Sequence, residues 1–248
     1  MNQESSLWSD AWRRLLANKA AVAGGMILLV LIFLAIFAPW IAPHSYSYQN
    51  LELGAQPPSS EFLLGTDTLG RDLFSRILYG ARVSLLVGFV ATSVALVIGV
   101  SWGIVAGYFG GRIDSVMMRI VDVLYGLPFI IFIILLMVIF GRNIWLLFGA
   151  IGAVEWLTMA RIVRGQVLTV KTQEYVLAAQ AMGVSNIQMF RKHIYPNILG
   201  PIAVYATLTI PQVMLLEAFL SFLGLGIQPP MSSWGTLIRY GVESMEEY

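Results

Sequence analysis

The chain has 248 residues, of which 58% are hydrophobic and only 12% charged, about half the charged share of a soluble domain. That is too little charge to cover a globule, so lipid must solvate much of the chain; a disordered chain, a nucleic-acid module and an ordinary cytosolic enzyme are excluded. Cysteine is absent and the only histidines are His44 and His193, which excludes a thiolate nucleophile, a disulfide framework and a Cys/His zinc site.

A hydrocarbon core of ~30 Å needs about 20 apolar residues at 1.5 Å each. Residues 1–19 form a polar arm carrying Arg13, Arg14 and Lys19. The first span follows at 20–41, too long for the apolar region of a cleaved leader and without a clear small-x-small site at its end. A loop over 42–82 leads to a second span, Val83 to Phe109, with no charge in it. A third runs from about Met117 to Phe140 with Arg119 and Asp122 in its first turns, a fourth from Ile144 to about Ala160 with Glu155, and a fifth from beyond Pro196 to about Phe222 with Glu217.

Lys and Arg set the orientation. With the amino terminus cytoplasmic, the inner side holds ten of them: Arg13, Arg14, Lys19, Arg112, Arg119, Arg161, Arg164, Lys171, Arg191 and Lys192. The outer side holds five: Arg71, Arg76, Arg82, Arg142 and Arg239. The acidic end, Glu243, Glu246 and Glu247, then lies outside, and the odd span count points to a further span past Tyr248.

Ala95, Gly99, Gly103 and Gly107 recur at steps of four, a small-residue stripe of the kind that brings helices together in lipid. It serves either packing within the chain or an interface with a second membrane subunit. Asp122, Glu155 and Glu217 lie at or near membrane depth, where ionisable groups are costly. They are either paired acids at span ends, with Arg119 on the face of Asp122, or parts of a polar path.

The longest inner segment is 161–197. Thr172 is an N-cap candidate with Glu174 in the first turn. Helix formers follow to Met182, and Ala178, Ala179 and Ala181 leave a shallow surface. Gly183 supplies a left-handed stop. Ser185 to Gln188 reads as a capping box opening a second short helix with Ile187, Phe190 and Ile194 on one face, ended by Pro196. By itself this helix-turn-helix also fits a surface helix held in the headgroups by Arg191 and Lys192.

The run Glu174-Tyr175-Val176-Leu177-Ala178-Ala179, then Gly183, Ile187 and Ile194-Tyr195-Pro196-Asn197, resembles the EAA loop of ABC-importer permeases. Leu177 departs from the motif's name-giving glutamate, and Tyr195 stands where leucine is common. Phe62 to Leu85, Tyr108 to Leu124 and Glu217 to Gly235 resemble signature stretches of the peptide/nickel branch. The opening LWSDAWRRLLANKAAVAGG, with ARIVRGQ at 160–166, looks most like the C-type subunit of an oligopeptide permease. The resemblance implies an all-α polytopic fold of the type I importer kind, with five transmembrane helices visible and a sixth beyond the chain end. It implies a multi-pass protein of a bacterial cytoplasmic (inner) membrane, within which 83–248 is the permease domain.

No G-x-x-x-x-G-K-[ST] run occurs around Lys19, Lys171 or Lys192, so no P-loop is present. By resemblance the energy comes from partners: a second permease subunit, two ATPase subunits holding ATP and Mg, and an extracytoplasmic substrate-binding protein. The resemblance implies no catalytic residue, metal site, directly bound cofactor or nucleic-acid partner. It places Glu174, Ala178, Ala179, Gly183, Ser185, Ile187, Phe190, Arg191 and Pro196 at the ATPase contact. It places Gly65, Asp67, Gly70, Arg71 and Asp72 near the outer mouth, where local Asp–Arg pairing that merely folds the loop is an equal reading. The implied cargo is an oligopeptide or dipeptide. The alternatives are an ion-coupled secondary transporter working through Asp122, Glu155 and Glu217, and a permease for nickel or another metal chelate.

Overall fold

The computed structural model describes residues 7–141 and 143–245. Arg142, Glu246 and Glu247, expected outside the membrane, and the expected sixth helix fall outside these. The described residues are helical, with no named strand and one isolated bridge, Thr66 to Asp72. Four helices are long and apolar enough to cross a membrane, and one bent pair makes a fifth. The chain divides after Arg82 into two compact units.

In the first unit, the polar arm contains a helix that apolar counting does not find: α1, Leu7–Ala17, exposing Trp12, Leu15 and Leu16. Asn18 then caps α2, Lys19–Ile41, its Oδ1 accepting from the N–H groups of Ala20 (3.1 Å) and Ala21 (3.2 Å). α2 is apolar on all sides and buries only Ala35 and Ala38. Such a helix needs lipid or a neighbouring subunit as its solvent.

α3, Leu73–Phe109, begins ten residues before the expected start of the second span. The expectation stopped at the charge of Arg82, but Arg76 is accommodated inside the helix because Asp67 accepts from its guanidinium. The third span is not one rod. α4, Gly111–Tyr125, and α5, Phe129–Phe140, meet at 79°. Gly126-Leu127-Pro128 is the cause: Pro128 drives the residue before it out of the helical region, and its ring cannot continue α4.

α6, Ile144–Lys171, runs eleven residues past the expected end at Ala160, so the expected inner segment begins inside a helix. α7 is Glu174–Ala181 and α8 is Asn186–Met189. A π-helical turn, Phe190–Ile194, leads into α9, Tyr195–Phe222, and α10 is Trp234–Ser244. Pro196 therefore does not end the short helix. The π turn, in which Tyr195 N–H bonds the carbonyl of Phe190, shifts the ladder just before the residue that has no N–H to give, and the helix continues.

The second unit is held by three apolar clusters. One joins α3, α5, α6 and α9 through Val87, Ile133, Phe148, Ile151, Val213 and Leu220. Another joins the end of α6 to α7, α8 and the start of α9 through Val167, Val176, Met189, Ile194 and Ile198. Trp156 and Ala160 on α6 meet Ala95 and Val121 in the third. The small-residue stripe lies between α3 and α6. A Cβ added to Gly99 would stand 2.6 Å from Met159 Cβ, one on Gly103 2.6 Å from the Ala160 carbonyl, and one on Gly107 2.8 Å from Val167 Cβ. Of the two readings of the stripe, packing within the chain is the one observed.

Candidate coupling and path sites

The α7–α8 unit is built by a glycine stop. Gly183 has φ +78°, a region other residues enter at a cost of about 1 kcal/mol or more. There Val184 N–H reaches back to the carbonyl of Ala179 at 3.2 Å and Gly183 N–H to that of Gln180 at 3.0 Å, closing α7. Two expected caps differ. Gln173, not Thr172, is the N-cap of α7; the Thr172 hydroxyl donates to the Thr169 carbonyl (2.9 Å) and finishes α6. Ser185 does stand at the N-cap of α8, but its side chain makes no capping bond, so the capping box with Gln188 is not formed.

The unit has an inner and an outer face. Val176, Ala179, Met189 and Ile194 are buried, and Phe190 is half-buried. Glu174, Ala178, Gly183, Ser185, Arg191 and Pro196 are exposed. Ile187 is 72% exposed and Met182 77%, so Ile187 does not share the buried face of Ile194 as the spacing suggested. The buried set is instead Met189 on α8 with Ile194 at the end of the π turn. Leu177, at the motif's glutamate position, is exposed at the same surface.

This unit is clamped to the ends of two long helices. Lys171 Nζ donates to the carbonyls of Gly107 (3.3 Å) and Tyr108 (2.8 Å), satisfying the end of α3. The Tyr108 hydroxyl donates to the Asn186 carbonyl at 2.8 Å, and its ring meets Phe190 edge to face at 5.8 Å. Sequence reasoning did not single out Lys171 or Tyr108.

Two ion pairs tie α4 to α6. Arg164 grips Asp114 with two parallel bonds, Nε to Oδ1 at 2.5 Å and an NH2 group to Oδ2 at 2.6 Å. Arg161 donates to Asp122 at 2.8 Å and lies over the Tyr125 ring, 4.2 Å from its centre. The partner of Asp122 is thus Arg161 on another helix, not Arg119, which is exposed on α4. Arg–carboxylate fork geometry is the strong form of such a pair.

Glu217 is fully buried at 0% exposure. Its Oε1 accepts from the hydroxyls of Ser221 (2.5 Å) and Ser233 (2.7 Å). Ser233 also caps α10, accepting from Thr236 N–H at 3.2 Å while Thr236 Oγ1 accepts from Ser233 N–H at 2.8 Å. Trp234 N–H donates to Ser84 on α3 at 3.1 Å. Glu217 is therefore the centre of a polar knot that fastens α10 to α9.

In the first unit the expected outer-mouth residues come together; Gly65, Gly70, Arg71 and Asp72 are buried and Asp67 is partly buried. Asp67 accepts from Arg71 Nε at 2.7 Å, from the Arg71 and Leu69 N–H groups, and from Arg76. Arg71, Arg76 and Asp72 are each no more than 3% exposed. Asp72 accepts from the Ser75 hydroxyl at 2.5 Å and lies 3.6 Å from His44 Nδ1. Gly65 and Gly70 have φ +76° and +66°, and a Cβ on Gly70 would stand 2.0 Å from the Asn50 carbonyl. This geometry is that of a folded loop locked by its own charges.

The sequence compares closely with known membrane proteins. Residues 99–245 match the family described as binding-protein-dependent transport system inner membrane component. The chain belongs to that family. Residues 6–58 match the N-terminal TM domain of oligopeptide transport permease C. Similar relatives include the dipeptide transport system permease protein DppC of Bacillus subtilis, 50% identical over 97% of this chain and 75% of its own length. The oligopeptide transport system permease protein OppC of Haemophilus influenzae is 49% identical over 97% and 78%. The glutathione transport system permease protein GsiD of Pectobacterium atrosepticum is 38% identical over 94% and 77%. Membership in a family of multi-pass inner membrane components accounts for the apolar helices, and the matched stretch contains the whole α7–α8 unit.

Proposed function

We propose that this chain is one of the two membrane-spanning halves of an ATP-driven importer of short peptides, and that it is moved by a partner ATPase through α7 and α8. The observation that carries the reading is the exposed Met182–Ile187 surface. It is mounted on a glycine turn and clamped by Tyr108 and Lys171 to two membrane-length helices. A push on α8 is thereby delivered to the ends of α3 and α6 as a rigid-body displacement rather than absorbed by a loop. The relatives are named for dipeptides, oligopeptides and glutathione, which supports a small peptide as cargo.

In this reading the amino terminus and α7–α8 face the cytoplasm, by the ten-to-five division of Lys and Arg. The membrane is a bacterial inner membrane. The partners are a second permease subunit, two ATPase subunits that hold ATP and Mg, and an extracytoplasmic binding protein. A proton relay through Asp122, Glu155 and Glu217 is disfavoured because two of the three are engaged, Asp122 by Arg161 and Glu217 Oε1 by two serine hydroxyls. The test is uptake of trialanine into proteoliposomes holding the complete assembly with its binding protein. Uptake requires ATP inside and survives collapse of the proton gradient. Uptake driven by a proton gradient without ATP would overturn the reading.

A further inference from the structure

The 79° break between α4 and α5 does more than end a helix. It opens a cavity of about 390 Å³ against α6, walled by Leu127, Phe129 and Phe132 on one side and by Glu155 and Thr158 on the other, with Tyr125 at its edge. That volume is in the range of small-molecule sites, which are mostly apolar with a few placed polar groups. Glu155 is the charged residue of this lining.

Eleven residues separate Glu155 from the start of α6 and sixteen from its end, roughly 16 and 24 Å along the axis. A carboxylate at that depth is costly unless something compensates it. Within the described residues nothing does: Glu155 has no hydrogen bond or ion pair. The two arginines that follow on the same helix are committed elsewhere, Arg161 to Asp122 and Arg164 to Asp114. The half-buried carboxyl thus lines a space of ligand size with no partner among the described residues.

We propose that Glu155 receives the ammonium terminus of the peptide in transit, with the apolar wall formed by Leu127, Phe129 and Phe132 accepting side chains of varied sequence. A free peptide always carries that ammonium, whatever its residues, so a single carboxylate selects for peptide ends without selecting a sequence. Arg161, the arginine nearest on α6, is held by Asp122 and by the Tyr125 ring, away from the carboxyl of Glu155. The inference rests on the peptide-import reading above.

The chain contains no cysteine, which gives a charge-specific test. Glu155→Cys is placed in the complete assembly, whose integrity is checked by size exclusion before any reagent is added, and trialanine uptake is measured in proteoliposomes beside the wild type. Uptake by Glu155→Cys falls about tenfold, the scale of one charge-assisted contact. An anionic sulfonatoethyl thiol reagent restores most of it, and a cationic trimethylammonium-ethyl reagent does not. Trialanine slows the labelling.

Wild-type uptake by the variant, equal effects of the two reagents, or failure of either reagent to reach the site overturns the assignment. So does loss of assembly, or labelling indifferent to trialanine. Absence of ATP-driven trialanine uptake by the wild type would instead sink the peptide-import reading itself.

Discussion

Lys171 Nζ lies 2.8 Å from the carbonyl oxygen of Tyr108, so the last residue of α6 caps the last turn of α3. Tyr108 in turn donates to Asn186 at the start of α8. Three elements far apart in sequence thereby share one polar junction at the end of the second unit. A cation at a helix C-terminus is stabilising in its own right, and here it also satisfies carbonyls that have no helical partner.

Replacing that cation exposes the role of the junction. Lys171→Met leaves two carbonyls without their donor and lowers the stability of the assembled protein by about 1–2 kcal/mol. Tyr108→Phe removes one neutral hydrogen bond, about 1 kcal/mol. In the coupling reading both variants hydrolyse ATP at near wild-type rates in the complex and transport less per ATP. The check is the ratio of trialanine taken up to phosphate released; an unchanged ratio in both would show that the junction is structural only.

Gly183 separates backbone strain from crowding, because a Cβ there meets nothing within 4 Å. The cost of Gly183→Val is therefore conformational: φ +78° is unfavourable for a β-branched residue. Gly183→Asn costs less, since asparagine visits this region more readily. Uptake should fall in the order wild type, Gly183→Asn, Gly183→Val, with all three present in the membrane at similar levels. Equal uptake by the valine variant would remove the fixed turn from the mechanism.

The contact between α3 and α6 tolerates no added volume at Gly103, where a Cβ meets the Ala160 carbonyl at 2.6 Å and Val163 Cβ at 2.7 Å. Gly103→Leu is expected to lower the unfolding temperature in detergent sharply, by several kcal/mol of overpacking and lost contact. Gly165, with open space around its Cβ position, is the control. Gly165→Ala is neutral or gains up to about 1 kcal/mol from helix propensity.

Asp67 accepts from two buried arginines. Asp67→Asn leaves positive charge without its counter-charge and costs about 3–5 kcal/mol. Limited proteolysis of the 43–72 loop should accelerate strongly in that variant. A stable loop with lost uptake would instead favour a direct part for these residues at the outer mouth.

Much of this arrangement is written in local sequence. The length and position of α2 follow from a charge-free apolar run, and the Gly183 stop follows from a glycine between two helical patterns. Several differences share one origin, the use of ionisable and proline residues as boundaries. Arg76, Arg161 and Arg164 lie inside helices because Asp67, Asp122 and Asp114, distant in the chain or on another element, compensate them. Pro196 lies inside because a π turn precedes it. Conversely, Gly126-Leu127-Pro128 carries a helix-breaking signal that an apolar-residue count passes over, and the chain bends there. The short amphipathic helices α1 and α10 are invisible to an apolar-length criterion; for α10 the Ser233–Thr236 cap was the available signal. The burial of Arg76 and Glu217 depends on contacts that no local pattern encodes.

The position of Ile187, exposed and central on α8, offers the most direct measurement. In the complete assembly, Ile187→Cys on a chain otherwise free of cysteine should form a disulfide cross-link with an introduced cysteine lining a groove of an ATPase subunit. The yield should change on ATP binding, and Leu215→Cys, exposed on α9, should give no such product. Labelling of Ile187→Cys by a membrane-impermeant reagent from the extracytoplasmic side, with no ATPase cross-link, would contradict the account.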